Sequence, residues 1–182
     1  GRDIRVMKAR KPKVSPPGEG DTFGRGVPRK RAIEPFIRTV VEHWRENGRH
    51  ALPWRETTDP YRILVSEVML QQTQVDRVIP YYERFLKKYP TVKALSKSKL
   101  SDVLKLWSGL GYNRRAKLLR DTAIAVVENH GGVFPRSREE LIDLPGIGPY
   151  TAGAILAFAY DEEDVFIETN IRTVMLHHFF SK

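Results

Sequence analysis

The chain has 182 residues, of which 41% are aliphatic or aromatic and 29% are charged, and its net charge is +9. These proportions are typical of a soluble domain, and no apolar run approaches the ~18 residues that a membrane span needs. The absence of cysteine excludes disulfides, a cysteine nucleophile and a thiolate-held zinc or iron–sulfur site within these residues. The start of the chain has charge but no apolar segment after it, so we expect no secretory signal and an intracellular location.

Residues 1–31 form a basic tail without apolar periodicity. They hold ten basic and three acidic side chains, and therefore +7 of the net charge of +9. Frequent proline and glycine predict a disordered or loosely draped segment. A mobile cationic arm suits a polyanion such as DNA, because each neutralised phosphate releases counterions. A solvated tail without a partner is an equally good interpretation of the same residues.

Helical periodicity dominates the sequence after this tail. A first amphipathic helix is predicted up to the stop signal Asn47-Gly48. Its apolar positions are Ile33, Phe36, Ile37, Val40, Val41 and Trp44. A second helix is predicted to have Asp59 as its N-cap and Pro60 in its first position, and to run through Gln71-Gln72-Thr73.

Further helices are predicted along the rest of the chain. Their approximate bounds are 75–88, 100–107, 113–129, 137–143, 149–160 and 170–180. Gly131-Gly132 closes the third of the six, and the stretch Ser137 to Glu140 has the form of a capping box. A short extended piece is expected at 165–167. Because we find no alternating strand pattern of useful length and no internal repeat, the predicted fold class is all-α.

The most specific motif is the corner from Leu144 to Ala152. Gly146 and Gly148 let the backbone turn through positive φ and approach a ligand closely, and the following helix offers unpaired N–H groups. Such a corner, with Thr151 in the first turn of its helix, can hold a DNA phosphate. A plain connection between two helices is the alternative, but the flanking short helix and the Thr-Ala continuation favour DNA binding.

Glu67 is the second candidate site residue, because it lies among apolar residues in the middle of the second helix. Partial burial there raises the pKa of a carboxyl group toward a value useful for a general acid. For an isolated glutamate, a solvated helix face is the better interpretation. The adjacent Gln71 and Gln72, whose amides can enter a base stack, favour a functional site.

The third candidate is Glu168, at the mouth of the last predicted helix. The helix dipole would keep its carboxylate ionised. An N-cap formed by Thr169 or Asn170 explains the same residues without catalysis. His177 and His178 are adjacent and point in different directions, so we predict no metal site.

Together these residues resemble the MutY-type adenine glycosylases of the helix-hairpin-helix superfamily. The resemblance covers about residues 32–180, and the stretch from Ser66 to Thr73 is its most specific part. The other matching segments are Leu52 to Arg55, Asp59 to Tyr61, Trp107 to Tyr112 and Leu144 to Ala154. The resemblance implies the helix-hairpin-helix glycosylase fold, in which a groove lies between a six-helix barrel and a second helical domain.

The resemblance also implies a division of the chain into domains. Residues 59–168 match the six-helix barrel with its hairpin at 137–160, whereas 32–58 and the C-terminal end match part of the second domain. In the family this second domain contains a [4Fe–4S] cluster. We expect a cluster, and a further domain that recognises 8-oxoguanine, only if the natural protein continues past Lys182.

The roles of single residues follow from the same resemblance. Glu67 occupies the place of the catalytic acid, and Glu168 occupies the place of a catalytic aspartate, one methylene shorter, beside Asn170. Tyr150 stands where bifunctional relatives have a lysine, so Schiff-base strand cleavage is not expected. The other matches are the base-pocket residues Trp54 and Arg55, the duplex-contacting residues Gln72, Leu110 and Tyr112, and the phosphate-holding Gly146 and Gly148.

The implied activity is hydrolysis of the bond between adenine and deoxyribose in double-stranded DNA. The implied enzyme is monofunctional and acts as a monomer on adenine mispaired with G or 8-oxoguanine. It has no membrane partner and works in the cytoplasm or nucleoid, or in the nucleus if the source is a eukaryote. A thymine or uracil mismatch glycosylase is a second interpretation, since related enzymes share the tyrosine at the place of Tyr150. A non-catalytic DNA-binding module is the third, motivated by Glu168 in place of aspartate.

Overall fold

The computed structural model describes residues 30–48, 51–162, 171, 173–175 and 177. The chain divides into two compact units, Gly1–Glu42 and His43–Lys182, and the first helix begins in one and ends in the other. Eight α-helices and no β-strand lie in the stretches 30–48 and 51–162, and the five later described residues are also helical. The helices are α1 (Lys30–Asn47), α2 (Pro60–Leu70), α3 (Val75–Lys88), α4 (Val92–Ser96), α5 (Leu100–Trp107), α6 (Arg114–His130), α7 (Arg138–Ile142) and α8 (Pro149–Tyr160).

The predicted all-α class and most predicted helix starts are confirmed. The Asp59 carboxylate accepts a hydrogen bond from the backbone N–H of Tyr61 at 2.9 Å, as an N-cap does. At the start of α7 the Ser137 hydroxyl accepts from the backbone N–H of Glu140 at 3.2 Å, as a capping box requires. These starts are predictable because the capping residue lies within three positions of its partner.

Two features differ from the sequence prediction. The expectation that α2 continues through Thr73 is wrong, because the helix ends at Leu70 and Gln72 has a left-handed backbone with φ of +55°. The helix α4 was not predicted, since five residues are too few to show a helical period. Its N-cap is Thr91, whose hydroxyl accepts from the backbone N–H of Ala94 at 3.2 Å.

The core of the unit 43–182 surrounds α2, which packs against α3, α6 and α8. Most of its side chains are apolar and buried on several faces, so the helix shows no wide polar stripe. The largest fully buried side chains of the unit are Trp107, Phe85, Leu64, Met69, Leu95 and Leu119. A polar residue on α2 therefore lies in an apolar setting, which matters for Glu67.

The apolar side chains of α1 are largely exposed. Ile37, Val40 and Trp44 keep 53%, 49% and 49% of their surface accessible. Whether 32–58 and the C-terminal end belong to a second helical domain remains a prediction. In the described part of the chain, no helix has the length and apolar character needed to cross a membrane.

Candidate functional site

Glu67 lies in the last turn of α2, between the buried residues Ser66 and Val68. Its side chain is partly buried, as the sequence predicts. Burial raises the pKa of the Glu67 carboxyl from 4.5 to about 7, and it is the only cause of the shift among the residues that the structure describes. A carboxyl whose pKa is raised toward neutrality can hold its proton near neutral pH, which makes Glu67 competent as a general acid.

The end of α2 is capped by Arg115, a buried side chain from the first turn of α6. Its guanidinium donates hydrogen bonds to the carbonyls of Val68 at 2.9 Å and Met69 at 3.0 Å. It also donates to the carbonyl of Gln71. The last carbonyls of a helix have no partner within the helix, so this arginine stabilises the point at which α2 stops.

A second turn, residues 108–112, connects α5 to α6 beside the end of α2. The Trp107 indole N–H donates to the carbonyl of Gly111 at 3.0 Å, and the Tyr81 hydroxyl of α3 donates to the carbonyl of Ser108 at 3.0 Å. The turn ends at Tyr112, whose backbone is left-handed with φ of +50°. Side chains from two helices thus hold this turn in place.

The exposed side chains of Gln72 and Tyr112 share a surface groove of about 480 Å³. The other residues that line this groove are Gln71, Arg114, Arg115 and Leu118. Three residues predicted to contact DNA, Gln71, Gln72 and Tyr112, are therefore brought together. The groove begins one helical turn after Glu67 along α2.

The corner at 144–149 lies against the middle of α6. Gly146 has φ of +77°, and a Cβ atom placed there would lie 2.8 Å from the Cβ of Leu118. The hydroxyl of Thr122 donates to the carbonyl of Leu118 at 2.8 Å and also approaches that of Pro145. Gly148 is the N-cap of α8, so the free N–H groups of the first turn of α8 follow directly. Since Leu118 lines the groove as well, the corner and the groove are neighbours on α6.

Trp54 and Arg55 lie in the loop before α2. Trp54 packs edge to face on Tyr82 of α3, with ring centroids 5.3 Å apart and an angle of 78° between the rings. The Tyr82 hydroxyl is buried without a hydrogen-bond partner in the described part of the chain, and burial raises its pKa to about 12. Arg55 is exposed. The assignment of both residues to a base pocket remains a prediction.

Two predicted contact residues are buried and not on the surface. Leu110 is 4% exposed and packs in the core beneath the 108–112 turn. Thr151, in the first turn of α8, is 3% exposed, so its side chain is buried. Tyr150 beside it is exposed at the start of α8. Leu110 follows Gly109, whose backbone has positive φ, and its side chain packs into the core beneath the turn.

Three other predicted positions lie outside the described residues. They are Glu168, Asn170 and the extended piece at 165–167. His177 is described and is an exposed helical residue. Among the described residues, no cluster of three or more His, Asp or Glu side chains could hold a metal ion. The [4Fe–4S] cluster that the resemblance implies is held by cysteine thiolates, and the residues of this chain do not fit it because none is cysteine.

Sequence reasoning missed Arg115 and Thr122. Both are buried polar residues on the apolar face of α6, in register with the buried Leu119 and Val126. A polar side chain at a core-facing helical position needs a hydrogen-bond partner, so this spacing was the available signal. Most of the partners could not be inferred, because five of the seven lie 23 to 47 residues away.

The described residues combine an all-helical fold, a glycine corner and a partly buried acid on a central helix, as expected of helix-hairpin-helix repair proteins. The family model described as HhH-GPD superfamily base excision DNA repair protein matches residues 65–182. A solved structure of a thermostable thymine-DNA glycosylase is similar, with a TM-score of 0.74 and 32% identity, over 80% of this chain and 67% of that one.

Two adenine DNA glycosylases are also similar in sequence. The protein from Buchnera aphidicola subsp. Baizongia pistaciae is 44% identical over 144 residues, which are 79% of this chain and 41% of the relative. The protein from Rattus norvegicus is 43% identical over 152 residues, covering 79% of this chain and 29% of the relative. The chain belongs to the HhH-GPD superfamily of base excision DNA repair proteins. It spans less than half the length of these adenine-specific relatives.

Proposed function

We propose that the chain carries the base-release site of an adenine DNA glycosylase. In this proposal the target is an adenine mispaired with G or 8-oxoguanine in double-stranded DNA, and the product is an abasic site. The observation that carries it is Glu67, a partly buried acid with a pKa of about 7 at the end of the central helix. The similarity to two adenine DNA glycosylases supports adenine as the base.

The reaction starts with the target nucleotide turned out of the duplex toward Glu67. Breaking the pair and the stack costs a few kcal/mol, and this cost is lower for a mispair. Protonated Glu67 then donates its proton to N7 of adenine. The electron pair of the bond between C1′ and N9 moves to the base, and the sugar becomes a cation.

A second carboxylate stabilises the cationic sugar. We assign this role to Glu168, on the strength of the family resemblance, with Asn170 beside it. Its negative charge offsets the charge that develops at C1′, as in the paired carboxylates of glycoside hydrolases. Water adds to C1′, and the proton that it loses returns to Glu67. Atoms and charge balance over the cycle, which yields free adenine and an abasic site.

The enzyme is proposed to be monofunctional. Strand cleavage through a Schiff base needs an amine at the site, and Tyr150 offers a phenol at the position that a lysine occupies in bifunctional relatives. The exposed ring of Tyr150 at the start of α8 is consistent with a position facing the substrate. The expected product is therefore an intact strand that breaks only after alkaline treatment.

DNA is proposed to bind across the groove and the corner. The left-handed turns present Gln72 and Tyr112 to the opened pair. The corner at Gly146, followed by the start of α8, offers backbone N–H groups to a phosphate of the same strand. Arg114, exposed beside the groove, adds positive charge near the DNA backbone.

The test is base release from a panel of labelled duplexes that contain A:G, A:8-oxoguanine, T:G or U:G, followed by alkaline cleavage. The proposal expects cleavage at adenine in the first two duplexes and none in the last two. Cleavage at T:G instead would favour a thymine mismatch glycosylase, the alternative supported by the similar thymine-DNA glycosylase structure. Binding to every duplex without any base release would identify a non-catalytic DNA-binding module.

A further inference from the structure

The two turns that border the groove share an uncommon backbone feature. Gln72 and Tyr112 both have positive φ, at +55° and +50°, although neither is glycine. Such a conformation strains the backbone of a non-glycine residue and persists only where the surrounding structure holds it. Both side chains are exposed, so packing of the side chains themselves into the core does not hold them. The contacts that hold the two turns must therefore act on the residues beside Gln72 and Tyr112.

Arg115 supplies such contacts to both turns at once. On one side it donates to the carbonyl of Gln71 and to the hydroxyl of Thr73 at 3.2 Å, the two residues that flank Gln72. On the other side it donates to the carbonyl of Gly111 at 3.2 Å, directly before Tyr112. Its guanidinium also lies 5.4 Å from the centre of the Tyr112 ring. One side chain thus contacts the residue before each strained position.

The bonding pattern of Arg115 is unusual for a buried charge. The hydrogen-bond acceptors described for it are four carbonyls and one hydroxyl, whereas a buried arginine commonly pairs with a carboxylate. Removing the charge from water is costly, and burial lowers the pKa of the guanidinium. The planar fork of arginine fits several fixed acceptors, which lysine with a single ammonium group cannot do.

We propose that Arg115 is a positioning residue that fixes the Gln72 turn and the Tyr112 turn to each other as one strand-opening element. The inference rests on the proposed function, because it assumes that these two side chains enter the duplex. It adds a residue that touches neither the base nor the sugar. Its effect on the reaction is confined to the step in which the base pair opens.

The test compares Arg115→Met and Arg115→Lys with the control Arg120→Met. Arg120 is on the same helix and also donates to a distant loop carbonyl, that of Ser98 at 2.9 Å, but it lies away from the groove. All three variants lose hydrogen bonds between helix and loop, so their melting temperatures report the structural loss. Only the Arg115 variants free the two turns.

Opening is measured by the fluorescence of 2-aminopurine placed next to the target adenine, in a paired duplex and in one where an abasic site faces the adenine. The second duplex has no pair to break. We expect both Arg115 variants to lose about 10- to 100-fold in opening and base release on the paired duplex, and less than about threefold on the other. A loss of folded protein lowers opening and base release equally on both duplexes. The control variant should therefore leave the ratio of the two rates unchanged.

The inference is overturned if a folded Arg115 variant keeps the wild-type ratio between the two duplexes. If neither variant folds, Thr73→Ala decides, since it removes one acceptor of Arg115 outside the core. A shift of about two- to fivefold in the same direction supports the inference, and an unchanged ratio overturns it. Failure of the proposed function is separate: wild type then opens the paired duplex without releasing adenine.

Discussion

The Gly146 corner and the Gln72 and Tyr112 turns solve the same backbone problem differently. All three positions have positive φ, at +77°, +55° and +50°. The corner uses glycine, which adopts this conformation without strain. The turns use residues with long side chains and hold them with hydrogen bonds from Arg115 and Trp107.

The difference follows from what each region presents. In the proposed function a phosphate is bound by backbone N–H groups, so the corner needs no side chain, and there is no room for one against Leu118. In the same proposal the opened base pair is replaced by side-chain atoms, so the positions of Gln72 and Tyr112 cannot be glycine. Backbone strain at these two residues is then the cost of placing a side chain there. The predictions below test this contrast and the role of Glu67.

The largest expected effect is that of Glu67→Gln. The amide keeps the size of the side chain but has no proton to give to adenine, so we expect base release to fall by about a thousandfold or more. Mispair binding should stay within a few-fold of wild type. Single-turnover release of labelled adenine measures the first effect and a titration of the duplex measures the second. The control is Glu83→Gln on α3, an exposed glutamate, and near wild-type release by Glu67→Gln would disprove the acid role.

The next largest effect should come from Gly146→Ala, compared with Gly148→Ala. At Gly146 the new Cβ meets the Cβ of Leu118 at 2.8 Å and the backbone is left-handed, whereas at Gly148 no atom lies within 4 Å. We expect about a 10- to 100-fold weaker affinity for DNA in the first variant, and less than threefold in the second. Equal affinities of the two variants would mean that the shape of the corner does not matter for DNA.

A third prediction concerns pH. Base release should fall about tenfold per pH unit above the pKa of Glu67, which nearby phosphates can only raise. The raised pKa also makes the contribution of Glu67 to stability depend on pH: the folded state prefers the proton, so this contribution is fully present below pH 4.5 and is lost as the pH rises to about 7. Glu67→Gln should remove this pH-dependent part of the free energy of unfolding, which is at most about 3 kcal/mol. Denaturant unfolding at pH 4, 6 and 8 measures the free energy of unfolding of both proteins. If this free energy changes with pH equally in wild type and Glu67→Gln, the prediction is wrong.

The smallest expected effect on the fold is that of Gln72→Gly. Glycine accepts positive φ, so we expect a gain in unfolding free energy of up to about 1 kcal/mol, together with a loss of roughly tenfold in opening of the paired duplex. Gln71→Gly is the matched control, because φ at Gln71 is −56° and glycine relieves nothing there. If both variants are destabilised alike, Gln72 is not strained in the folded protein.

The features that the sequence predicts well are local ones. The starts of α2 and α7 depend on Asp59 and Ser137, whose partners lie two or three residues away. The end of α2 was predicted three residues too late, because it depends on Arg115, more than 40 residues further along the chain. The burial of Leu110 depends in the same way on packing between distant helices. For the site, the apolar neighbours of Glu67 and the adjacent Gln72 indicated candidates and the family resemblance assigned their roles, while the residue that connects the two turns required the structure.

The position of Leu118 on α6 connects the spacing of the Gly146 corner to that of the two turns. The guanidinium of Arg115, the side chain beneath Gly146 and the hydroxyl of Thr122 all come from two turns of one helix, with a rise of about 1.5 Å per residue. One helix, α6, therefore contacts both the corner and the two turns, and its geometry sets the spacing between them. A graft of the corner into another scaffold would keep this spacing only if α6 were transplanted with it.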